Sequence, residues 1–179
     1  MFMKKLFLVV TAMLCIATAS AQDKWSVGLR LGTGAQVEGE YFYSDKAYLE
    51  GLLGFSFVGG NVDFSVIHNW NCFEWDWTPS AGHWFLDAGV GGRIGGSGDC
   101  CFFGVAGQAK FGIEFKKVPI RLAFDVTPSF GPIIHYGKKV TMLTGDGNEM
   151  VEASVKIPST CKFFSSGLLS LGISATWRF

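Results

Sequence analysis

The sequence has little charge and no excess of either sign. Lys and Arg number 15, Asp and Glu number 15, and charged residues make up 17% of the 179 positions, against about 25% in ordinary soluble domains. The balance excludes the basic surface that nucleic-acid-binding proteins present, so no nucleic acid is expected as a partner. Aromatic residues are abundant, at 15%, and this composition excludes disorder for the bulk of the chain.

Beyond residue 21 the sequence also lacks an uninterrupted apolar run of 18 or more residues, which excludes a membrane-spanning helix there. The first 21 residues differ from the rest: two lysines precede a short apolar stretch, and Ala19-Ser20-Ala21 has the small residues of a cleavage site. This arrangement predicts a signal peptide over residues 1–21 and a mature chain of residues 22–179. If the mature chain is destined for a membrane, it must cross with strands.

In the mature chain, apolar side chains recur with a period of two residues. Segments of about ten residues alternate apolar with small or polar side chains, and turn residues separate them, which is typical of strands. The pattern predicts an all-β chain with eight strands. They are Trp25–Gly34, Ala35–Tyr43, Ala47–Phe57, Asn61–Trp70, Gly82–Gly95, Phe102–Phe115, Pro119–Phe130 and Gly167–Phe179.

The charges test this pattern. Four of the strands carry two charges each, at separations of 2, 6, 4 and 4 residues, so each pair projects from one face of its strand. The other charges lie on the polar faces of their own strands, and none occupies an apolar face. The twelve are Arg30, Glu38, Glu40, Glu50, Asp63, Asp87, Arg93, Lys110, Glu114, Arg121, Asp125 and Arg178.

Alternation alone is compatible with two opposite arrangements. One is a soluble barrel or sandwich with its apolar face inside, and the other is a membrane barrel with its polar face inside. Three observations favour the membrane barrel. The polar face is rich in small residues, its five positive and seven negative charges suit a buried and paired network, and the apolar face is too large for the core of one small domain. We therefore predict a transmembrane antiparallel up-and-down β-barrel whose lumen is filled by a structural ion network.

Aromatic residues sort towards the strand ends. Taking as the lower end the one at which the mature chain begins, all six Trp fall near it and several Phe fall near the upper end, which predicts two interfacial girdles. The tryptophans are Trp25, Trp70, Trp75, Trp77, Trp84 and Trp177, and the upper phenylalanines are Phe55, Phe57, Phe64, Phe103 and Phe130.

With its signal peptide, eight alternating segments and alternating ending Leu169–Phe179, the chain resembles the small eight-stranded outer-membrane barrels of Gram-negative bacteria, the OmpA/OmpX-type, porin-like proteins. The resemblance implies the outer membrane as location, its lipid as surroundings, and a structural, envelope-integrity or surface-interaction role. Trp177 and the final Phe179 resemble the signal read by the outer-membrane assembly machinery, which is thus an implied partner. The long lower connection Asn71–Ala81 departs from the pattern of that family.

The long upper connection 131–166 contains two alternating stretches around a Gly145-Asp146-Gly147-Asn148 turn, which predicts a hairpin. We expect it to form an extracellular arm that is available to an extracellular partner. The alternative adds both of its strands to the barrel and makes ten.

Four cysteines remain in the mature chain, in an oxidising compartment. Cys100 and Cys101 lie on one upper loop and Cys161 on the other, so a disulfide of Cys161 with Cys100 or Cys101 is expected. Cys72 lies at the lower end, too far away to take part.

Signs of catalysis and of metal binding are scarce. The chain has three histidines and neither a Gly-x-Ser-x-Gly nor a Cys-x-x-Cys motif, so we predict no catalytic, metal-binding or cofactor-binding residues and no enzyme. A small porin or channel is the alternative function, and an outer-membrane lipid-modifying hydrolase, which would need a nucleophile beside His68, is a less favoured one. A filled eight-stranded lumen predicts no water-filled channel.

Overall fold

The structure is a computed structural model that describes residues 24–57, 60–137, 139–145, 150–156, 158–163 and 169–179. The predicted signal peptide, residues 1–21, lies outside the described residues, as do residues 146–148 of the predicted hairpin turn. Among the described residues, no helix is long and apolar enough to cross a membrane.

The described residues form thirteen strands, all of them antiparallel to the strands they pair with. In chain order they are β1 (Trp25–Gly32), β2 (Gly34–Ser44), β3 (Ala47–Ser56), β4 (Asn61–Trp75), β5 (Gly82–Gly96), β6 (Cys100–Phe115), β7 (Ile120–Thr127), β8 (Ser129–Phe130), β9 (Pro132–His135), β10 (Lys139–Gly145), β11 (Met150–Lys156), β12 (Thr160–Phe163) and β13 (Ser170–Arg178).

The strands close into a barrel. Each of β1 to β6 pairs with the next strand along the chain. Strand β13 pairs with both β7 and β1 and so closes the barrel. Strands β7, β8 and β9 follow one another along β6, and we count them as one strand line. The barrel then has eight strand lines, which confirms the prediction of eight strands. The predicted hairpin is β10 and β11, which pair only with each other within the described part of the chain.

The register determines the width of the barrel. A path of hydrogen-bonded neighbours that starts at Phe124 in β7 returns to the same strand line at Ile134 in β9, ten residues further on. For eight strands with standard spacings, this offset corresponds to a strand tilt of about 41° and a backbone radius of about 8 Å. Such a barrel is just wide enough inside for side chains to fill it.

The fourth strand is longer than predicted. It continues past Trp70 to Trp75, so the lower connection spans only residues 76–81 and the expected long connection Asn71–Ala81 is wrong. The register of β4 against β5 shifts between Asn71 and Phe73, which makes Cys72 a β-bulge. Because a bulge adds one residue, it reverses the alternation of faces. Beyond Cys72 the period of two therefore no longer predicts which face a side chain occupies.

The seventh strand line also differs from the prediction. It is interrupted at Pro128, whose nitrogen carries no hydrogen to donate, and again at Gly131, but it continues as β9 to His135. Strand β12 then pairs with β9. Within the segment 131–166, expected as a loop with one hairpin, β9 and β12 therefore also extend the wall of the barrel upward.

Glycines on the two faces of the barrel have different surroundings. A Cβ atom added at Gly172 in β13, which faces the interior, would lie 2.6 Å from Arg30 Nε. A Cβ atom added at Gly39 in β2, which lies on the outer face, would meet no heavy atom within 4 Å. Small residues inside therefore make room for bulky charged side chains.

We predict that Gly172→Ala lowers the free energy of unfolding by about 1–3 kcal/mol, because the methyl group displaces the Arg30 side chain. The matched change Gly39→Ala is expected to be neutral or to stabilise by up to about 1 kcal/mol. Equilibrium urea unfolding followed by tryptophan fluorescence measures both. Equal effects at the two positions would contradict the assignment of faces.

Candidate functional site: the charged barrel interior

The barrel is polar inside and apolar outside. Among the described residues, 20 polar or charged residues are buried but only 7 hydrophobic ones, while 29 large hydrophobic residues are exposed. The alternation of each strand produces this arrangement, because successive side chains point to opposite faces. Three of these seven hydrophobic residues, Leu52, Ile67 and Ala106, form the one buried apolar cluster among the described residues.

The structure directs all twelve of the charges singled out from the sequence towards the interior, and ten of them are buried. The other two, Glu114 and Arg178, lie near the lower end and are partly exposed. They form an ion pair with 2.9 Å between Arg178 Nη1 and Glu114 Oε1.

Two ion pairs occupy the upper part of the interior. Arg30 in β1 donates from Nε to Asp125 Oδ2 in β7 at 2.8 Å, and Arg93 Nη2 in β5 lies 2.9 Å from Asp63 Oδ2 in β4. Gln36 connects the pairs, since it accepts a hydrogen bond from Arg30 and donates one to Asp63. The two pairs therefore belong to one network that joins strands on opposite sides of the barrel.

Lys110 is the centre of the middle layer. Its ammonium group hydrogen-bonds to Glu38, and it lies 3.1 Å from Glu40 Oε1 and 2.8 Å from Glu50 Oε2. Glu50 also accepts hydrogen bonds from Asn69 Nδ2 at 2.8 Å and from Gln108 Nε2 at 2.9 Å. One cation thus holds together carboxylates from two adjacent strands, β2 and β3, across the lumen from β6.

Arg121 forms the layer below. Its guanidinium group pairs with Asp87 and with Glu40, the latter at 3.2 Å from Nη1. Its Cζ atom lies 3.8 Å from the ring centroid of Phe85 and 4.9 Å from that of Tyr48, at distances typical of cation–π contacts. The hydroxyl of Tyr48 donates to Asp87 Oδ2 at 2.8 Å. Rings and ion pairs together fill this cross-section.

A cavity of about 290 Å³ lies at the lower end of the barrel, below this layer. Phe42 and Tyr48 line it together with Arg121 and Arg178, and the β2–β3 turn contributes to its rim. The cavity is therefore a vestibule that ends at the layer of Arg121 and its aromatic neighbours.

A metal site is the other arrangement to consider for the acidic cluster. Among the described residues, Glu38, Glu40 and Glu50 offer carboxylate oxygens that lie within 4.8 Å of one another. However, the Lys110 ammonium group hydrogen-bonds to all three and supplies the positive charge that a metal ion would bring. The geometry gives no reason to assign a metal here.

The expected disulfide is not formed. Cys72, Cys100, Cys101 and Cys161 are all free. Cys101 in β6 and Cys161 in β12 both lie opposite Ile134, on either side of β9. Two strand spacings separate their Cα atoms by about 10 Å, whereas a disulfide requires less than about 7 Å. The unforeseen strand β9 explains the difference.

The histidines have structural neighbours. The ring of His68 hydrogen-bonds to the Tyr43 hydroxyl and packs against Trp70, with 4.2 Å between ring centroids. His83 Nδ1 lies 2.7 Å from Asp76 Oδ1 at the exposed lower end. These contacts give neither ring a serine to activate.

The aromatic side chains near the lower end contact one another on the outer face. Trp25 and Tyr41 have ring centroids 4.6 Å apart, and Trp84 lies 5.5 Å from Phe111 and 5.7 Å from Trp77. Trp177 in β13 is exposed on the same face. The rings thus form a band around the lower end of the barrel.

Sequence reasoning left Gln36 and Asn69 out of the interior network, although the same alternation predicts that Tyr48 and Gln108 help to fill the lumen. Gln36, Asn69, Gln108 and Tyr48 all hydrogen-bond to buried carboxylates. The signal was present, because each of them shares the parity of a charged residue on its own strand. Restricting the network to charged groups is what left Gln36 and Asn69 out.

Comparison of this chain with family models, with curated proteins and with solved structures finds no match. The features of the chain that bear on its function are therefore a closed barrel, an ionic interior and an apolar exterior.

We predict that Lys110→Met lowers the free energy of unfolding by about 3–5 kcal/mol, because it removes the cation shared by three buried carboxyl groups. Lys117→Met, in an exposed connection, is the matched control and should change stability by less than about 0.5 kcal/mol. Urea titration of both variants provides the comparison. Similar stabilities for the two would show that the network does not hold the barrel together.

Proposed function

We propose that this chain is an integral outer-membrane β-barrel with a filled lumen, and that it serves the cell envelope as a structural or surface-interacting protein. The single observation that carries the proposal is the inversion of polarity, with 20 buried polar residues inside and 29 large hydrophobic residues exposed outside. Its partners would be outer-membrane lipid along the wall and the assembly machinery that inserts such barrels.

The exposed apolar surface supports a lipid environment. Monomeric soluble proteins rarely expose contiguous apolar patches larger than a few hundred Å², whereas here apolar side chains follow every strand line around the barrel. Leu29, Phe124 and Ile173 are 61%, 49% and 64% exposed. Hydrocarbon around the barrel would solvate these side chains at no cost.

The dimensions support the same conclusion. Strand β3 has 10 residues, which at the tilt derived above rise about 25 Å along the barrel axis. That height equals the apolar band of outer-membrane barrels, about 25 Å. The band of Trp and Tyr rings at the lower end lies where an aromatic girdle belongs.

The filled lumen argues against a pore. Layers formed by Arg30, Lys110 and Arg121 with their carboxylate and aromatic partners cross the interior one above another. A backbone radius of about 8 Å leaves no continuous water path beside such side chains. We therefore place the function at the surfaces of the barrel, and we propose no enzymatic activity.

The upper extension is the part best placed to meet a partner. Strands β9 and β12 continue the wall beyond the point where β13 begins, and the β10–β11 hairpin lies between them in the chain. We propose that segment 131–166 faces the outside of the cell and contacts an extracellular partner.

Leu29→Arg tests the lipid environment. The residue is exposed at the middle of an apolar strand face, so in a membrane the substitution should cost about 2–4 kcal/mol. In a water-soluble barrel an exposed Leu→Arg change would be close to neutral. Ser80→Arg, in the exposed lower connection, controls for the added charge. The measurement is reversible unfolding from phospholipid vesicles, and a cost below about 0.5 kcal/mol for Leu29→Arg would contradict the proposal.

Planar-bilayer recording tests the filled lumen. The purified, folded protein should give no stable conductance steps, because the ion network blocks the interior. Lys110→Met serves as a probe for leakage through a weakened network. Regular conductance steps of porin size from the unmodified protein would contradict the filled lumen and would support the alternative function of a small channel.

A further inference from the structure

We infer that the middle of the barrel holds two protons at neutral pH, shared among the carboxyl groups of Glu38, Glu40, Glu50 and Asp87. The inference concerns the interior alone, so it goes beyond the proposed role and does not depend on where the barrel resides. It follows from a count of buried charges and from the contacts of each carboxyl group.

The buried charges do not balance. Among the described residues, four cations are buried, Arg30, Arg93, Lys110 and Arg121, together with six acidic residues, Glu38, Glu40, Glu50, Asp63, Asp87 and Asp125. Arg30 pairs with Asp125, and Arg93 pairs with Asp63. Two cations therefore remain for four carboxyl groups, and full ionisation would leave two negative charges uncompensated.

Among the described residues, the polar groups that face this layer come from eight strands. They are Ser26 from β1, Glu38 and Glu40 from β2, Tyr48 and Glu50 from β3, Asn69 from β4, Asp87 from β5, Gln108, Lys110 and the partly exposed Glu114 from β6, Arg121 from β7, and Thr176 from β13. Lys110 and Arg121 are the only cations among them. Glu114 is paired with Arg178, so this lower pair adds no net charge. Uncompensated charge in such surroundings is strongly disfavoured, and a buried acid takes up a proton instead.

The contacts indicate where the first proton resides. Glu40 receives hydrogen bonds from Lys110, Arg121 and Ser26, so its negative charge is well supported. Glu38 is fully buried and receives one hydrogen bond, from Lys110, while its Oε2 atom has no partner. An unpartnered oxygen is tolerated far better on a neutral carboxyl group than on a carboxylate, so Glu38 carries one proton.

The second proton is shared by Glu50 and Asp87. Each of these has one cationic donor and at least one neutral donor, and Asp87 Oδ1 has no partner. A metal ion would be the other way to compensate two negative charges. The Lys110 ammonium group, hydrogen-bonded to Glu38, Glu40 and Glu50 at once, occupies the place where it would bind.

Proton uptake during folding tests the inference directly. The full mature chain, unfolded in urea at pH 7.5, is folded into detergent micelles in weakly buffered solution, and a pH-stat counts the protons absorbed. Carboxyl groups of the unfolded chain are ionised at this pH, so folding should take up about two protons per barrel. Uptake near zero would overturn the inference, and so would one tightly bound divalent ion per barrel by elemental analysis.

Two variants locate the proton. Glu38→Gln replaces a neutral acid by a neutral amide of the same shape, so the uptake should fall to about one. Glu114→Gln, at the partly exposed lower pair, is the matched control and should leave the uptake at about two. Unchanged uptake in Glu38→Gln would overturn the assignment to Glu38.

Infrared difference spectroscopy keeps the test independent of whether a variant folds. The folded, unmodified protein should show the carbonyl band of protonated carboxylic acids at pH 7.5, with an intensity of about two groups per barrel. Absence of this band would contradict the inference.

The stability should also depend on pH with a definite sign. Because the folded state holds two more protons than the unfolded chain, the unfolding equilibrium constant should rise about 100-fold per pH unit above neutrality.

Discussion

The pairing of buried charges is the constraint on which the rest of this structure depends. Eight strands with a register offset of ten residues enclose an interior that side chains must fill, and this chain fills it largely with Arg, Lys, Asp and Glu. Each of these groups needs a partner from another strand, as Arg30 finds Asp125 and Lys110 finds Glu50. The network therefore fixes which strands must be neighbours and which face of each strand turns inward. Small residues such as Gly172 are the geometric counterpart, because they leave space beside the guanidinium groups.

The outer surface follows from the inner one. Once every second side chain on a strand is committed to the ionic interior, the alternate positions have no core to enter and must face the surroundings. Those positions carry Leu, Val, Ile and Phe, with aromatic rings towards the strand ends. This inverted arrangement underlies the proposal of a membrane barrel, and the contacts across the lumen underlie the proposal that it does not conduct. Both proposals thus derive from the same period of two in the chain.

The faces and the number of strands could be predicted from the sequence because alternation is a local property. The parity of Arg121 and Asp125, for example, requires no knowledge of the fold. What could not be predicted depends on non-local geometry. The bulge at Cys72 reverses the alternation and hid the last residues of β4. The continuation of the wall through β9 lies beyond Pro128, a residue that normally ends a strand, and this missed strand separates Cys101 from Cys161. Which arginine pairs with which carboxylate depends on the register and tilt of the strands. The alternation of side chains along one strand gives no information about either.

The central claim is that the ionic face of each strand is enclosed and the apolar face meets hydrocarbon. Spin labels placed one at a time in β13 at Leu171, Ile173, Ser174, Ala175 and Thr176, in a variant whose cysteines are replaced by serine, measure this directly in lipid vesicles. Collision with dissolved oxygen, which concentrates in hydrocarbon, should be frequent at Leu171, Ile173 and Ala175 and rare at Ser174 and Thr176. A water-soluble paramagnetic complex should reach none of the five. Free access of that complex to Leu171, Ile173 and Ala175 would contradict the account.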